Sequence, residues 1–186
     1  MAERVMVIFG GVSTEHEISC RSAYYIIGGL REAGYEVIPV GITQQGEWLP
    51  YHCDDAILLS ADWVGPTREV LAEKKEKNTV CSLSSVRNFL VALCGGLVPD
   101  VIFPAVHGIN CEDGALQGLL QLADIPYVGS PIKASAVAMD KVSCKVVVAA
   151  TGVPQVNYLA YHRQDINRRP ETIVAEIESQ LGLPCF

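Results

Sequence analysis

Two stretches of the chain set reactive side chains beside glycine-rich turns. The first is His107-Gly108-Ile109-Asn110-Cys111-Glu112-Asp113-Gly114-Ala115-Leu116-Gln117-Gly118, which places an imidazole, a thiol and two carboxylates within twelve residues. It follows directly on the apolar run Val101-Ile102-Phe103-Pro104-Ala105-Val106, whose length and composition predict a buried parallel strand. The polar loop therefore stands at the carboxyl end of a strand, where open α/β sheets bind their ligands. The second stretch is Gly10-Gly11-Val12-Ser13-Thr14-Glu15-His16-Glu17, again at the end of an apolar run. A carboxylate such as Glu15 in that position is a sound partner for an ammonium group. Further along, Met139-Asp140-Lys141 sets an ammonium directly after a carboxylate in a helical stretch. Each has a plainer explanation as well. Glu112 and Asp113 would cap the next helix, Glu15 would stabilise a first helical turn, His107 would be a hydrogen-bonded strand-end side chain, and Lys141 ordinary surface.

The elements that carry these residues alternate between strand and helix. Arg4-Val5-Met6-Val7-Ile8-Phe9, closed by Gly10-Gly11, predicts a first buried strand. Thr14-x-x-Glu17 fits a capping box, and Ala23, Ile26, Ile27 and Leu30 recur at helical spacing on one buried face. Gly34 ends this helix and residues 35–42 predict a second strand, completing a βαβ unit. The G-x-G-x-x-G spacing of dinucleotide-binding turns is absent. From Thr43 to Asn78 the pattern is faint: a turn and short strand near Trp48, an element beginning at Asp54-Asp55, then mixed charges on a solvated helical face. Val80-Cys81-Ser82-Leu83 predicts a strand and Ser85 to Cys94 a short helix. After a helix from Ala115 to Ala123 comes an extended piece and turn at 125–130, with a domain boundary there. Pro131 then opens one long helix, Lys133 to Ala150, with Lys145 facing solvent. A strand at 156–161, a helix from Thr172 to Gln180 and the start of another strand at 182–186 complete the expectation.

With 186 residues, 49% of them hydrophobic, and a mean hydropathy of +0.25, the chain can bury a substantial core. No apolar run approaches the roughly 20 residues that span a bilayer. Met1-Ala2-Glu3-Arg4 leads straight into a strand without a signal-peptide pattern, so a cytoplasmic protein with no membrane association is expected. A formal net charge of −7 argues against a nucleic-acid surface. The seven cysteines are odd in number and lack any C-x-x-C pair. They fit reduced thiols, several acting as small core hydrophobes, and offer no zinc spacing.

The twelve-residue stretch resembles the first signature of the D-alanine–D-alanine ligases, His-Gly-x-x-Gly-Glu-Asp-Gly followed after two residues by Gln-Gly. It departs only at Cys111, where that family usually has glycine. Gly10-Gly11-x-Ser13-x-Glu15-x-Glu17-x-Ser19 resembles the family's N-terminal motif, and Met139-Asp140-Lys141 its Met-Asp-Lys motif. The resemblance implies an α/β fold: a Rossmann-like, parallel-sheet N-terminal domain over 1–130, then the first part of an ATP-grasp domain over 131–186. It implies an ATP-dependent ligase that joins two D-alanines through an acyl phosphate for peptidoglycan synthesis, working as a homodimer. Glu15 and His107 would be its catalytic residues near the first D-alanine, with Ser13 and Gly108 also binding that substrate and Lys141 facing the ATP phosphates. No metal ligand is expected in this chain. Leu183-Pro184-Cys185-Phe186 resembles the segment leading into a phosphate-binding lysine, so an N-terminal fragment is expected, inactive alone. ATP and magnesium or manganese would be held mostly by residues beyond it.

Two alternatives stay open: a D-alanine–D-lactate or D-alanine–D-serine ligase, and a non-catalytic α/β module that binds a small amino acid. Cys111 in place of glycine costs nothing at negative φ and roughly 1–2 kcal/mol in the left-handed region. A thiol beside His107 could narrow the pocket or make the site oxidation-sensitive, but the flanking residues keep the pattern and tolerance is expected.

Overall fold

The computed structural model describes residues 2–74 and 86–185. The first strand, β1 (Arg4–Gly10), is joined through α1 (His16–Glu32) to the parallel strand β2 (Glu36–Ile42), and β3 (Trp48–Pro50) returns antiparallel to β2. β4 (Val101–Pro104) pairs parallel to β1 on its other side, giving the order β3-β2-β1-β4. The chain thus winds outward from β1 in one direction and comes back on the opposite side. The strand order reverses between β1 and β4, and in open α/β sheets that switch point is where ligands bind. The outer side of β4 is covered too, because Ile102 N–H donates to the Pro126 carbonyl (2.8 Å) and its own carbonyl accepts Val128 N–H (2.9 Å).

β1 is central because its side chains are apolar on both faces. Met6 and Ile8 join Val40, Ile42, Ile102, Leu116 and Leu120 in one core. Val5, Val7 and Phe9 join Ala23, Ile27, Leu58 and Trp63 in the other. This is the two-residue alternation of a strand buried on both sides. On the second face lie α1, a 3-10 turn at Asp55–Leu59 and α2 (Val64–Glu73). α3 (Val86–Leu93) and α4 (Ala115–Leu122) pack on the first. Among the described residues no helix is long and apolar enough to cross a membrane.

The chain forms two compact units, Met1–Met139 and Asp140–Phe186. The first closes with α5 (Ile132–Met139), whose Ile132 lies against Gly114 and Gly118 of the α4 segment. The second holds α6 (Lys141–Ala149), α7 (Arg163–Arg168) and α8 (Pro170–Leu181).

Several expectations need correction. The capping box does not form: Glu15 is the N-cap of α1 and no side chain caps that end, so Glu17 has no capping role. Ser13 serves the turn instead, its hydroxyl accepting Glu15 N–H at 3.1 Å and its carbonyl accepting His16 N–H at 3.3 Å. The long helix is two, because Asp140 turns extended (ψ 104) and its carboxylate accepts Ser143 N–H at 2.6 Å. An aspartate that satisfies a free N–H in this way starts a new helix more readily than it continues an old one. That bond also holds the Asp140 carboxyl below its usual range. Residues 156–161 form no strand, since the described part of their unit offers none to pair with. Lys145 does not simply face solvent: its ammonium lies 4.9 Å over the Tyr158 ring, and its carbonyl accepts Gln155 Nε2–H at 2.9 Å. Residues 182–185 are likewise not a strand, and α7 falls where the pattern predicts no element. The strand expected at 80–83 lies outside the described residues.

At one point the packing leaves no room for a side chain. The fully buried Trp63 ring occupies the place where a Cβ on Gly41, the next-to-last residue of β2, would project. Gly41→Ala should therefore cost about 1–3 kcal/mol through overpacking, seen as a lower urea midpoint at unchanged m-value. An unchanged midpoint would show that Trp63 has somewhere else to go.

Candidate functional site

The site lies at the carboxyl ends of β1 and β4, and α1 brings the two together. Ser19, fully buried, accepts Gly10 N–H at 2.7 Å and donates to the Ala105 carbonyl at 2.6 Å. One hydroxyl thereby ties the last residue of β1 to the chain just past β4. Gly11 is held from both sides: its N–H donates to the Ile42 carbonyl (2.8 Å), and its carbonyl faces His16 Nδ1 at 2.9 Å. Trp63 Nε1–H donates to His16 Nε2 at 3.3 Å. With Nε2 occupied as an acceptor, Nδ1 carries the proton and donates to Gly11.

With Gly10 and Gly11 fixed, the following turn meets the loop from β4. A Cβ on Gly108, at φ +80, would lie 2.5 Å from Ser13 Oγ and 2.7 Å from Glu15 Oε2. Only glycine allows both this backbone conformation and this approach. Ser13, Glu15 and Gly108 share one wall of a cavity of about 530 Å³, together with Gln44, Ile109 and Met139. These residues all belong to the first unit.

The β4 loop is braced by its own acids. Glu112 Oε2 accepts Gly108 N–H at 2.8 Å, while Asp113 accepts Asn110 N–H at 2.8 Å and Ala115 N–H at 3.0 Å. Asp113 thus does cap the start of α4, whereas Glu112 reaches back across the loop. Gln117 Nε2–H donates to the Cys111 carbonyl at 2.9 Å, fastening the loop to α4. His107, a third exposed, is not in the cavity wall. Its Nε2 lies 3.1 Å from Ser22 Oγ of α1, and its Nδ1 lies 3.8 Å from Glu112 Oε1. Lys141 is the first residue of α6 in the second unit.

The backbone and the packing at Cys111 both accommodate a side chain there. The left-handed residue of the loop is Asn110 (φ 65), and Cys111 is not at positive φ, so its Cβ brings no backbone strain. Its side chain enters the core beside Met6, Ile8 and Leu116 rather than the cavity. Burial, reinforced by the charges of Asp113, Glu112 and Glu15, pushes the thiol up to about 11. A thiol kept protonated and enclosed is a poor target for oxidation.

Sequence patterns single out Ser13, Glu15, His107 and Gly108, name Ser19 only as the last position of a motif and without a role, and pass over His16, Ser22 and Gln44. The serines stand three residues apart on α1, the spacing of one helical face. Nothing in the pattern tells a hydroxyl that bridges two strands from one that faces water.

The family model for the D-ala D-ala ligase N-terminus matches residues 4–130. The chain belongs to the D-alanine–D-alanine ligase family. It is 39% identical over 194 residues to the D-alanine--D-alanine ligase of Ruminiclostridium cellulolyticum, covering 99% of this chain and 50% of that one. Against the Geobacillus kaustophilus D-alanine--D-alanine ligase it is 36% identical over 191 residues, covering 100% and 50%. The chain spans about half the length of the curated relatives it matches. Among solved structures it is similar to the D-alanine-D-alanine ligase of Coxiella burnetii, with TM-score 0.72, 30% identity, and coverage of 97% of this chain and 50% of that chain. The VanG D-Ala:D-Ser ligase of Enterococcus faecalis superposes with TM-score 0.68 at 31% identity, with the same coverage of 97% and 50%.

The family glycine is thus replaced where a side chain can turn into the core. Native-state alkylation at pH 8 tests this, with the exposed Cys185 as internal standard. A rise from 9.0 to about 11 leaves Cys111 roughly a hundredfold less thiolate than an ordinary thiol. It should label at least that much more slowly than Cys185, and equal rates would contradict the burial.

Proposed function

We propose that this chain supplies the first D-alanine site of an ATP-dependent D-alanine–D-alanine ligase that serves peptidoglycan synthesis in the cytoplasm. The observation that carries the proposal is the placement of the Glu15 carboxylate against Gly108 at the switch point between β1 and β4. A carboxylate there, backed by a loop that leaves no room for a side chain, suits the ammonium group of a small amino acid. Ser13 and the Gly108 backbone line the same wall, and His107 stands beside them on the β4 loop. In this reading Glu15 binds and orients the first D-alanine, while the closeness of the two loops limits the size of what enters. Holding the reacting carboxylate in place supplies much of the rate in such a transfer.

When bound, ATP would supply the phosphoryl group that activates that carboxylate. Lys141 fits a phosphate partner, because it is a cationic residue in the first turn of α6, the end of a helix that favours an anion. Magnesium would be held mostly by residues in the half of the family's length that this chain does not span. The domain assignment belongs to the same proposal: 1–130 as the N-terminal ligase domain and 131–186 as the opening of an ATP-grasp domain. The homodimer does too. D-alanine as acceptor is favoured by the names of the curated relatives. Identity over this half does not separate acceptors, being 30% to a D-alanine ligase and 31% to a D-serine ligase of known structure.

The test is D-alanine-dependent ADP release with Mg-ATP, in this chain and in one continued through the second half of the family's length. Only the longer protein should turn over. Within it, Glu15→Gln should raise the KM for the first D-alanine about 10- to 100-fold, the size of one charged hydrogen bond, and leave the KM for ATP unchanged. A Glu15→Gln enzyme with an unaltered D-alanine KM would remove Glu15 from the site.

A further inference from the structure

His107 is held by groups from two elements, and their chemistry differs. On one side Glu112 Oε1 lies 3.8 Å from Nδ1, and Glu112 is itself pinned by its bond from Gly108 N–H. At 3.8 Å this is a charge contact rather than a hydrogen bond, and a carboxylate, which only accepts, favours a hydrogen on the ring nitrogen that faces it. On the other side Ser22 Oγ lies 3.1 Å from Nε2. A hydroxyl can donate or accept, as required. In the neutral ring Ser22 O–H donates to a bare Nε2 while Nδ1–H points to Glu112. In the cationic ring Nε2–H donates to the same oxygen, and nothing has to move.

We propose that Ser22 is the positioning residue of His107: its hydroxyl, donor or acceptor as required, holds the ring in one orientation in both charge states and so keeps Nδ1 turned to Glu112, whose carboxylate favours the Nδ1–H tautomer. Ser22 is well placed to do so. It stands one turn beyond Ser19 on the same helix, and Ser19 already fixes the chain at Ala105, two residues before His107. The hydroxyl that ties the strands and the one that orients the imidazole therefore belong to one rigid element. The proposal deepens the ligase reading, on which the use of an oriented His107 beside the D-alanine loop depends. Its geometry stands apart from that reading.

Long-range proton–nitrogen correlation spectra of the histidine rings test it in this chain, with His107→Gln assigning the signals among the four histidines. At a pH where the ring is neutral, His107 should show a protonated Nδ1 and a bare Nε2. Ser22→Ala should draw the two nitrogens toward averaged values, and Ser22→Thr, which keeps a hydroxyl, should restore the split. A parent ring with Nε2–H, or a Ser22→Ala ring unchanged from the parent, would overturn the proposal. In the longer protein Ser22→Ala should lower kcat/KM for D-alanine about tenfold, the size of one hydrogen bond, with Ser22→Thr recovering most of it. Unchanged kcat/KM in Ser22→Ala would overturn the functional part. A longer protein with no turnover at all, but with the tautomer pattern intact, would sink the ligase reading and leave the positioning role standing.

Discussion

The Ser19 hydroxyl is the interaction on which the site depends. The carboxyl ends of β1 and β4 are adjacent in the sheet but distant in sequence, and each has a backbone group with no ladder partner at the point where its loop departs. Ser19 satisfies both, accepting from Gly10 and donating to Ala105, in the interior of the protein. Losing it would leave a donor and an acceptor unpaired where no water reaches, at about 1–3 kcal/mol for each. The same bond sets where the two loops begin, so the distance between Glu15 and Gly108 follows from it.

The remaining constraints are steric, and they converge on the same end of the sheet. β1 carries apolar side chains on both faces, which forces helices above and below it and leaves only its ends open to a ligand. At that end His16, enclosed between Gly11 and Trp63, stops the first loop from shifting. Gly108 lets the second loop come against the first, and Glu112 and Asp113 brace it from within. The acids that a helix-capping rule would assign to α4 are divided: Asp113 keeps that task, while Glu112 stabilises the loop and faces His107. Structural and functional roles are therefore combined in one side chain. Cys111 occupies the family's glycine position at no conformational cost because Asn110 takes the left-handed turn.

Much of the first unit is legible in the chain itself. Unbroken apolar runs ending in glycine or a polar loop mark β1 and β4 as strands enclosed within the sheet, and helical spacing of Ala23 and Ile27 marks α1. Glu15 and His107 are legible as strand-end polar residues. What is not legible depends on partners far away in sequence. Thr14 and Glu17 have the residue types of a capping box, but Ser13 already serves that turn. Residues 156–161 alternate like a strand, yet alternation cannot create a neighbour to pair with. The run from Lys133 to Ala150 is helical throughout in propensity, and a single Asp140–Ser143 bond divides it. His16 and Ser22 escape a sequence reading, and the role of Ser19 does, for the same reason: their importance lies in what stands opposite them.

Amide hydrogen exchange in Ser19→Ala examines the coupling of the two loops most directly. In the parent chain Gly10 N–H should be protected to the level of the β1 core. In Ser19→Ala that protection should fall, and the amides of Gly108, Asn110 and Glu112 should lose protection with it, while Val5 to Ile8 keep theirs. If only Gly10 changes and the β4 loop exchanges as before, the two strand ends are held together by something other than this hydroxyl, and Ser19 does not set the distance between Glu15 and Gly108.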